Sequence, residues 1–471
     1  MTRVEVAIVG GGIAGLACAH ELLERGRTDF LLLEAGARCG GPLETVQRDG
    51  FTIERGPSTV RRTPELERLF ARAGLEIEAG RRAAPYVVSG GRLVRLPPPP
   101  GALVRGEFLP LRVGLGALAE PLRPRRPSPR SVHAFVAERL GTGLADRLAD
   151  LLTLGTYGAP AGQVGFESAF PELADALERT GGRLSGLLLA RLARRPFRRG
   201  DVAGGNRGLI STPRGLGALP ERLAEMLGPR LRLNAPVRNL KRAPAAAGGP
   251  TGDGPGCELE LGDAARTRLR ARRVVLAIPP PNAAGLLSGD PLSGAFEGYR
   301  STPQALASFA LRDPDCSRRW PGFGFLAPSR ERLPLLGALF ASNLFEGRAP
   351  DGCLTLTVFL GPTLREAPFD AVSAELAPLL RNLLGARLDP ELLDLVRYPQ
   401  GIPLYDPGHR ERTLRLRGAL ARIPELMVAG AGYDGPGLGA AAASGIAAAR
   451  ELAGGEPPPA RSGLATEVGP L

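Results

Sequence analysis

The tightest constraint in this chain lies at its start. An apolar run from Val4 to Val9 leads directly into Gly10-Gly11-Gly12-Ile13-Ala14-Gly15, which opens a helical pattern through Leu23. A second apolar run, Phe30 to Leu33, ends at Glu34, nineteen residues after Gly15. Strand, glycine turn, helix, strand and acid in this order predict a βαβ unit that binds a dinucleotide. The glycines permit a tight turn and let a pyrophosphate approach the backbone at the positive end of the helix. Glu34 suits ribose hydroxyls, and its charge argues against a 2′-phosphate.

Two further signals extend that reading. Glu34 continues into Ala35-x-x-Arg38-x-Gly40-Gly41, where backbone N–H groups and a fixed cation can wrap phosphates. Near the other end, Val428-Ala429-Gly430-Ala431-Gly432-Tyr433-Asp434-Gly435-Pro436-Gly437-Leu438-Gly439 reads as a strand, a glycine turn and a small-residue helix. A second helix start, so far along the chain, implies one long cofactor touched by both ends. That fits FAD better than NAD.

Composition narrows the class. A hydrophobic fraction of 43% over 471 residues supports two or three cored domains rather than a disordered chain. The cysteines (Cys18, Cys39, Cys257, Cys316, Cys353) are scattered without a CxxC, and the histidines are only His20, His133 and His409. A reduced, cytoplasmic protein without a metal centre follows. The net charge of +12 is carried almost wholly by arginine, with Lys241 the one lysine, and favours anionic partners. Nucleic acid is not expected, because aromatics are only 5% and no recognised nucleic-acid module appears. No apolar run is long enough to span a membrane. Met1 to Ala19 mimics a secretory signal, but its glycines sit at cofactor-binding spacing, so it is read as part of the fold.

Further motifs carry a resemblance. They are Gly50-Phe51-x-x-Glu54-x-Gly56-Pro57-Ser58, the stretch Gly158 to Phe170-Pro171, and the stretch Gly205 to Leu219. Val274-Val275-Leu276-Ala277-Ile278-Pro279, Gly322-Phe323-Gly324-Phe325-Leu326-x-Pro328 and Tyr398-Pro399-Gln400-Gly401-Ile402-Pro403-x-Tyr405-x-x-Gly408-His409 complete the set. With these, the chain resembles the protoporphyrinogen oxidases, FAD-dependent enzymes of haem biosynthesis among the amine oxidase-like flavoproteins, from Val4 to about Ala453. The resemblance implies non-covalent FAD held by Gly10, Gly11, Gly12, Ile13, Ala14, Gly15, Glu34, Arg38, Gly41, Gly56, Pro57, Ser58, Thr59, the backbone of Val237, Pro436, Gly437 and Leu438. It implies a porphyrinogen, protoporphyrinogen IX or its rival coproporphyrinogen III, against Phe323, Gly324, Leu326 and Phe359, with O2 as acceptor and H2O2 as product. The flavin carries the chemistry, so no catalytic side chain is named, and His133 and His409 are read as structural. A carotenoid-desaturase-like or amine-oxidising flavoenzyme is a more distant alternative, and a flavin-binding protein without turnover is a reading from another class.

Two positions depart from the family pattern. Pro85 stands where an Arg is usual before a hairpin, and Leu404 stands where a Gln is usual in the late motif. Arg81, Arg82 or Arg92 is the nearby replacement for the missing charge.

The expected class is α/β: a Rossmann-like FAD-binding domain, a mixed-sheet substrate domain and a helical membrane-approach segment. FAD-binding parts fall at 1–84, 201–278 and 418–454. A hairpin plus a helical, membrane-associated region occupies 85–200, the substrate domain 279–417, and a disordered tail 455–471. The Arg-rich stretch 183–199 predicts peripheral attachment to anionic lipid at the inner face of the cell membrane. The oligomeric state, a homodimer included, is left open.

Overall fold

The computed structural model describes residues 2–81, 83–96, 131–179, 208–243, 255–262 and 266–454. The first sheet is built around Thr2–Val9, paired in parallel with Phe30–Leu33 on one side and Arg268–Leu276 on the other. Leu231–Arg232 extends it in parallel beyond Phe30–Leu33, and Leu426–Val428 does so beside Val274–Leu276. The other end of Arg268–Leu276 turns antiparallel with Gly256–Leu261, which pairs with Val237–Ala243.

The central strands read as continuous apolar runs because both of their faces are covered. Val6 and Ile8 pack under helices Ile13–Glu24 and Leu438–Leu452, while Ala7 and Val9 face a second cluster holding Phe296, Tyr299 and Leu416. The two covering helices approach closely: a Cβ on Gly445 would sit 2.0 Å from the Ala14 carbonyl oxygen.

The second sheet runs Glu391–Leu404, Arg300–Leu311, Leu354–Leu360, Leu335–Leu339, Gly324–Leu326, Pro85–Ser89, Arg92–Arg95. Helix Phe369–Leu384 buries Val372, Leu376 and Leu380 against one face. The hairpin, grouped by sequence with the helical region 85–200, is structurally part of this sheet: Pro85–Ser89 pairs in parallel with Gly324–Leu326. Parallel pairing between segments so distant in sequence leaves no local pattern to read. The helical region contributes short helices from Val132–Leu140 to Pro171–Arg179, whose core stacks Phe135 on Phe166 and takes in Leu404 and Tyr405. The stretch 183–199 and the tail 455–471 lie outside the described residues, and no helix among the described residues is long and apolar enough to cross a membrane.

A hairpin, Thr45–Arg48 with Phe51–Glu54, is tied to the loop before Leu354–Leu360 by buried charge. Arg348, 1% exposed, donates to Glu54 Oε1 at 3.3 Å, to the Ser211 hydroxyl at 2.8 Å and to the Thr212 carbonyl at 2.7 Å. Glu54 also accepts from the Thr45 hydroxyl at 2.7 Å and from Leu216 N–H at 2.9 Å. Burial pushes the Glu54 carboxyl up and the Arg348 guanidinium down, so each depends on the other to stay charged. Removing one partner of such a pair costs about 3–5 kcal/mol, because the other is left buried and uncompensated. Arg348→Met is therefore expected to lose a large part of the chain's stability in a urea titration. Arg348→Met combined with Glu54→Gln should recover much of that loss, and equal losses in the two proteins would contradict the assignment.

Candidate functional site

Two helices present their N-termini without capping. Gly12 caps Ile13–Glu24 and Gly437 caps Leu438–Leu452, neither with a side-chain bond, and neither first turn contains an acid. Their positive ends are thus available to an anion. A Cβ built on Gly12, Gly41 or Gly437 would meet no atom of the described residues within 4 Å. Gly10 and Gly15 are different, since a Cβ on Gly15 would fall 1.9 Å from the Gly10 carbonyl oxygen and one on Gly10 would fall 2.6 Å from that of Ala277. One set of glycines lets backbone meet backbone; the other leaves room for a ligand.

The remaining expected contacts converge on this cradle. Glu34 is half-buried, and its carboxylate accepts from the N–H groups of Gly11 and Gly36, each at 2.7 Å. Each oxygen keeps a further lone pair for a ribose hydroxyl. Asn234 and Ala235 donate their N–H groups to the carbonyls of Gly36 and Glu34, both at 2.9 Å, which brings the start of strand Val237–Ala243 alongside. Gly40 N–H reaches the Gly11 carbonyl at 2.8 Å, and Gly56 packs where a Cβ would lie 2.0 Å from the Pro42 carbonyl oxygen. Thr63 abuts Gly439, so the run Pro57, Ser58 and Thr59 leads to the start of the last helix. The Ser58 hydroxyl is buried without a partner among the described residues. An orphaned hydroxyl beside uncapped helix ends fits a cofactor with many acceptor oxygens.

Arg38 also has partners within the chain. Its guanidinium donates to the carbonyls of Cys39 (3.2 Å), Gly41 (2.8 Å) and Leu43 (3.1 Å) and pairs with Glu44 at 3.1 Å. It folds the Gly40-Gly41 turn, and any phosphate would share it with these acceptors. The late motif also acquires a role that sequence could not supply. The Tyr405 hydroxyl donates to the Ala431 carbonyl at 2.9 Å and accepts from Gly435 N–H at 2.5 Å, fixing the turn before Pro436 and Gly437.

His133 pairs with Asp146 at 2.8 Å on the surface. His409 stacks on Tyr405 with ring centroids 3.9 Å apart, and neither ring nitrogen finds a partner among the described residues. Burial first, then the Arg412 charge, lower its pKa from 6.5 to about 4.

Across the second sheet, Val87, Leu326, Gly337, Phe359, Leu306 and Val396 lie side by side and share one face, opposite the helix-covered side. Leu326 and Phe359 are half-buried. The next register along that face holds Gly324, Leu339, Thr357, Ser308 and Asp394, where Asp394 receives a two-pronged bond from Arg55. Phe323 instead packs with Ala83, Leu344, Phe345 and Leu339 at the edge of the sheet. Of the proposed charge replacements, Arg81 is ion-paired with Glu346, Arg92 is exposed, and Arg82 lies outside the described residues.

Two outcomes follow. Gly12→Val should fold with nearly unchanged stability yet purify colourless, because the added atoms occupy only ligand space; Gly15→Val should fail to give folded protein. Ultraviolet–visible spectra and thermal melts check both. Second, the unfolded chain protonates a histidine near pH 6.5 that the folded chain keeps neutral until about pH 4. His409 therefore removes stability as pH falls through that window, by up to about 3 kcal/mol. Urea titrations at pH 7 and pH 4.5 should show a smaller pH-dependent loss in His409→Phe than in the parent.

A sequence profile of the flavin containing amine oxidoreductases matches residues 13–453. The chain is 28% identical to the chloroplastic protoporphyrinogen oxidase of Oryza sativa subsp. japonica, covering 96% of this chain and 86% of that protein. It is 30% identical to the coproporphyrinogen III oxidase of Propionibacterium freudenreichii subsp. freudenreichii, covering 93% and 88%. A crystal structure from Exiguobacterium sp. 255-15, provisionally named a protoporphyrinogen oxidase, superposes with a TM-score of 0.77 at 26% identity, covering 96% of this chain and 98% of that one. The chain belongs to the flavin-containing amine oxidoreductases, with FAD as its cofactor.

Proposed function

We propose that the protein oxidises a porphyrinogen, with protoporphyrinogen IX as substrate and O2 as the final acceptor. The observation that carries this reading is the half-buried apolar row through Leu326 and Phe359, broken by Gly337 and lying opposite the sheet's helix-covered face. A shallow apolar wall with a side-chain gap suits a flat macrocycle. FAD, once bound, supplies the two-electron acceptor for a saturated meso carbon.

The chain's own residues bind and orient. Leu326, Phe359 and Gly324 form the wall, with Phe323 at its edge, and together they exclude water from one face of the ring system. Arg55 and Tyr398 fix the strand behind: Arg55 grips Asp394, and the Tyr398 hydroxyl donates to the Arg55 carbonyl at 2.9 Å. No side chain is assigned as a general base, since His409 is buried in an aromatic stack. Coproporphyrinogen III is the second reading, favoured by the likeness to the Propionibacterium protein. Peripheral attachment to anionic membrane remains part of the proposal through the Arg-rich stretch 183–199.

Anaerobic mixing with either porphyrinogen tests the reaction. Loss of the oxidised-flavin absorbance, followed by porphyrin fluorescence when air is admitted, is the expected result. A spectrum that stays yellow in both cases leaves a flavin-binding protein without this activity. Acid precipitation should release all flavin into solution. Phe359→Ala should lower kcat/KM by roughly 10–100-fold, as loss of a buried aromatic contact worth about 1.5–3 kcal/mol requires.

A further inference from the structure

The hairpin end of the apolar face carries a cationic pair. Val87 pairs with Leu326, and Ser89, two residues on, projects from the same face. Arg330 reaches over that face and donates to the Ser89 hydroxyl at 3.1 Å. Its Nε lies 3.3 Å from Glu331, but the angle makes no hydrogen bond, and that Nε is buried without one. Glu331 is itself engaged by Gly90 N–H at 3.0 Å.

Arg147 is brought to the same place by Asp150, one turn further along the helical segment. The Asp150 carboxylate accepts from Ser329 N–H and Ala161 N–H, each at 2.9 Å, and so clamps that segment onto the residue preceding Arg330. Arg147 is half-buried and has no carboxylate partner among the described residues. Next to it, Leu148 packs with Leu326, Val87 and Leu151. Burial and the Arg147 charge together hold Arg330 below its ordinary pKa. Glu331 offsets one charge of this pair, and Arg147, brought near by the Asp150–Ser329 contact, adds a second guanidinium that leaves capacity for a further anion.

We propose that Arg147 and Arg330 form a carboxylate-binding pair at the rim of the Leu326–Phe359 wall, which reads the acidic side chains of the bound porphyrinogen. The guanidinium fork matches a carboxylate with two parallel hydrogen bonds, and two such forks suit a flexible propionate. This inference rests on the reading above that a porphyrinogen lies against that wall. Because the carboxylate is charged before and during oxidation alike, the pair acts on binding and not on the chemical step.

The test compares the holoenzyme with Arg330→Met, Arg147→Met, the double variant and Arg330→Lys. Oxidised porphyrins with two and with four carboxylates, and their methyl esters, are titrated by fluorescence, and the two porphyrinogens are assayed in steady state. The Met variants should weaken binding and raise KM about 10-fold or more. Turnover number and flavin spectrum should stay close to the parent's. The esters should bind all proteins alike, and Arg330→Lys should recover part of the loss. Met variants that bind both acids as the parent does, while the parent turns over porphyrinogen, overturn this inference alone. If the variants change only co-sedimentation with phosphatidylglycerol vesicles, the pair serves lipid phosphate and the proposal is wrong. A parent that neither binds nor oxidises any porphyrinogen removes the underlying reading, and the proposal with it.

Discussion

A buried ion pair joins the hairpin that follows the first βαβ unit to the loop that enters the second sheet. Glu54 ends strand Phe51–Glu54, the second arm of a hairpin with Thr45–Arg48, and Arg348 belongs to the loop before strand Leu354–Leu360 of the second sheet. Between them they gather Thr45, from the neighbouring strand of the Glu54 hairpin, and Ser211, Thr212 and Leu216 from one remote segment. In a dry interior neither charge tolerates isolation. Strand Phe51–Glu54 and the loop entering strand Leu354–Leu360 are therefore held together by the demand that both charges be satisfied.

That contact is the centre of a wider polar seam. Arg55, next to Glu54, bridges Glu44 and Asp394, and Glu44 in turn holds Arg38 over the Gly40-Gly41 turn. A chain of alternating charges thus runs from the phosphate side of the cradle to the inner face of the second sheet. On the far side, Tyr405 performs the matching task, joining the helical region and late motif to the turn before the last helix. Polar contacts thus link the glycine turns of the first sheet to Asp394 of the second.

Legibility followed the range of the physical cause. The βαβ unit was readable because its turn, helix start and strand are contiguous, and the apolar runs of the parallel strands reflect burial on both faces. Leu326 and Phe359 were named through a family pattern; that they share a face with Gly337 between them follows only from the register of three strands. Arg348 was missed because one arginine in an arginine-rich chain carries no local mark of burial. The charge sought at Arg81 or Arg92 is ion-paired or solvated, whereas Arg147 and Arg330 meet through segments 183 residues apart.

The sequence alone determined the glycine turn between Thr2–Val9 and Ile13–Glu24, the βαβ order that follows it, and the second glycine turn before the last helix. Those rest on steric rules acting over a few residues: glycine where backbones meet, apolar runs where both faces are covered, an acid where a strand ends. Tertiary structure decided which glycines face ligand and which face backbone, which arginines are buried, and which strands form the second wall. These depend on distances between remote segments, and a Cβ that collides at Gly15 but finds open space at Gly12 is the same chemical group in two different surroundings.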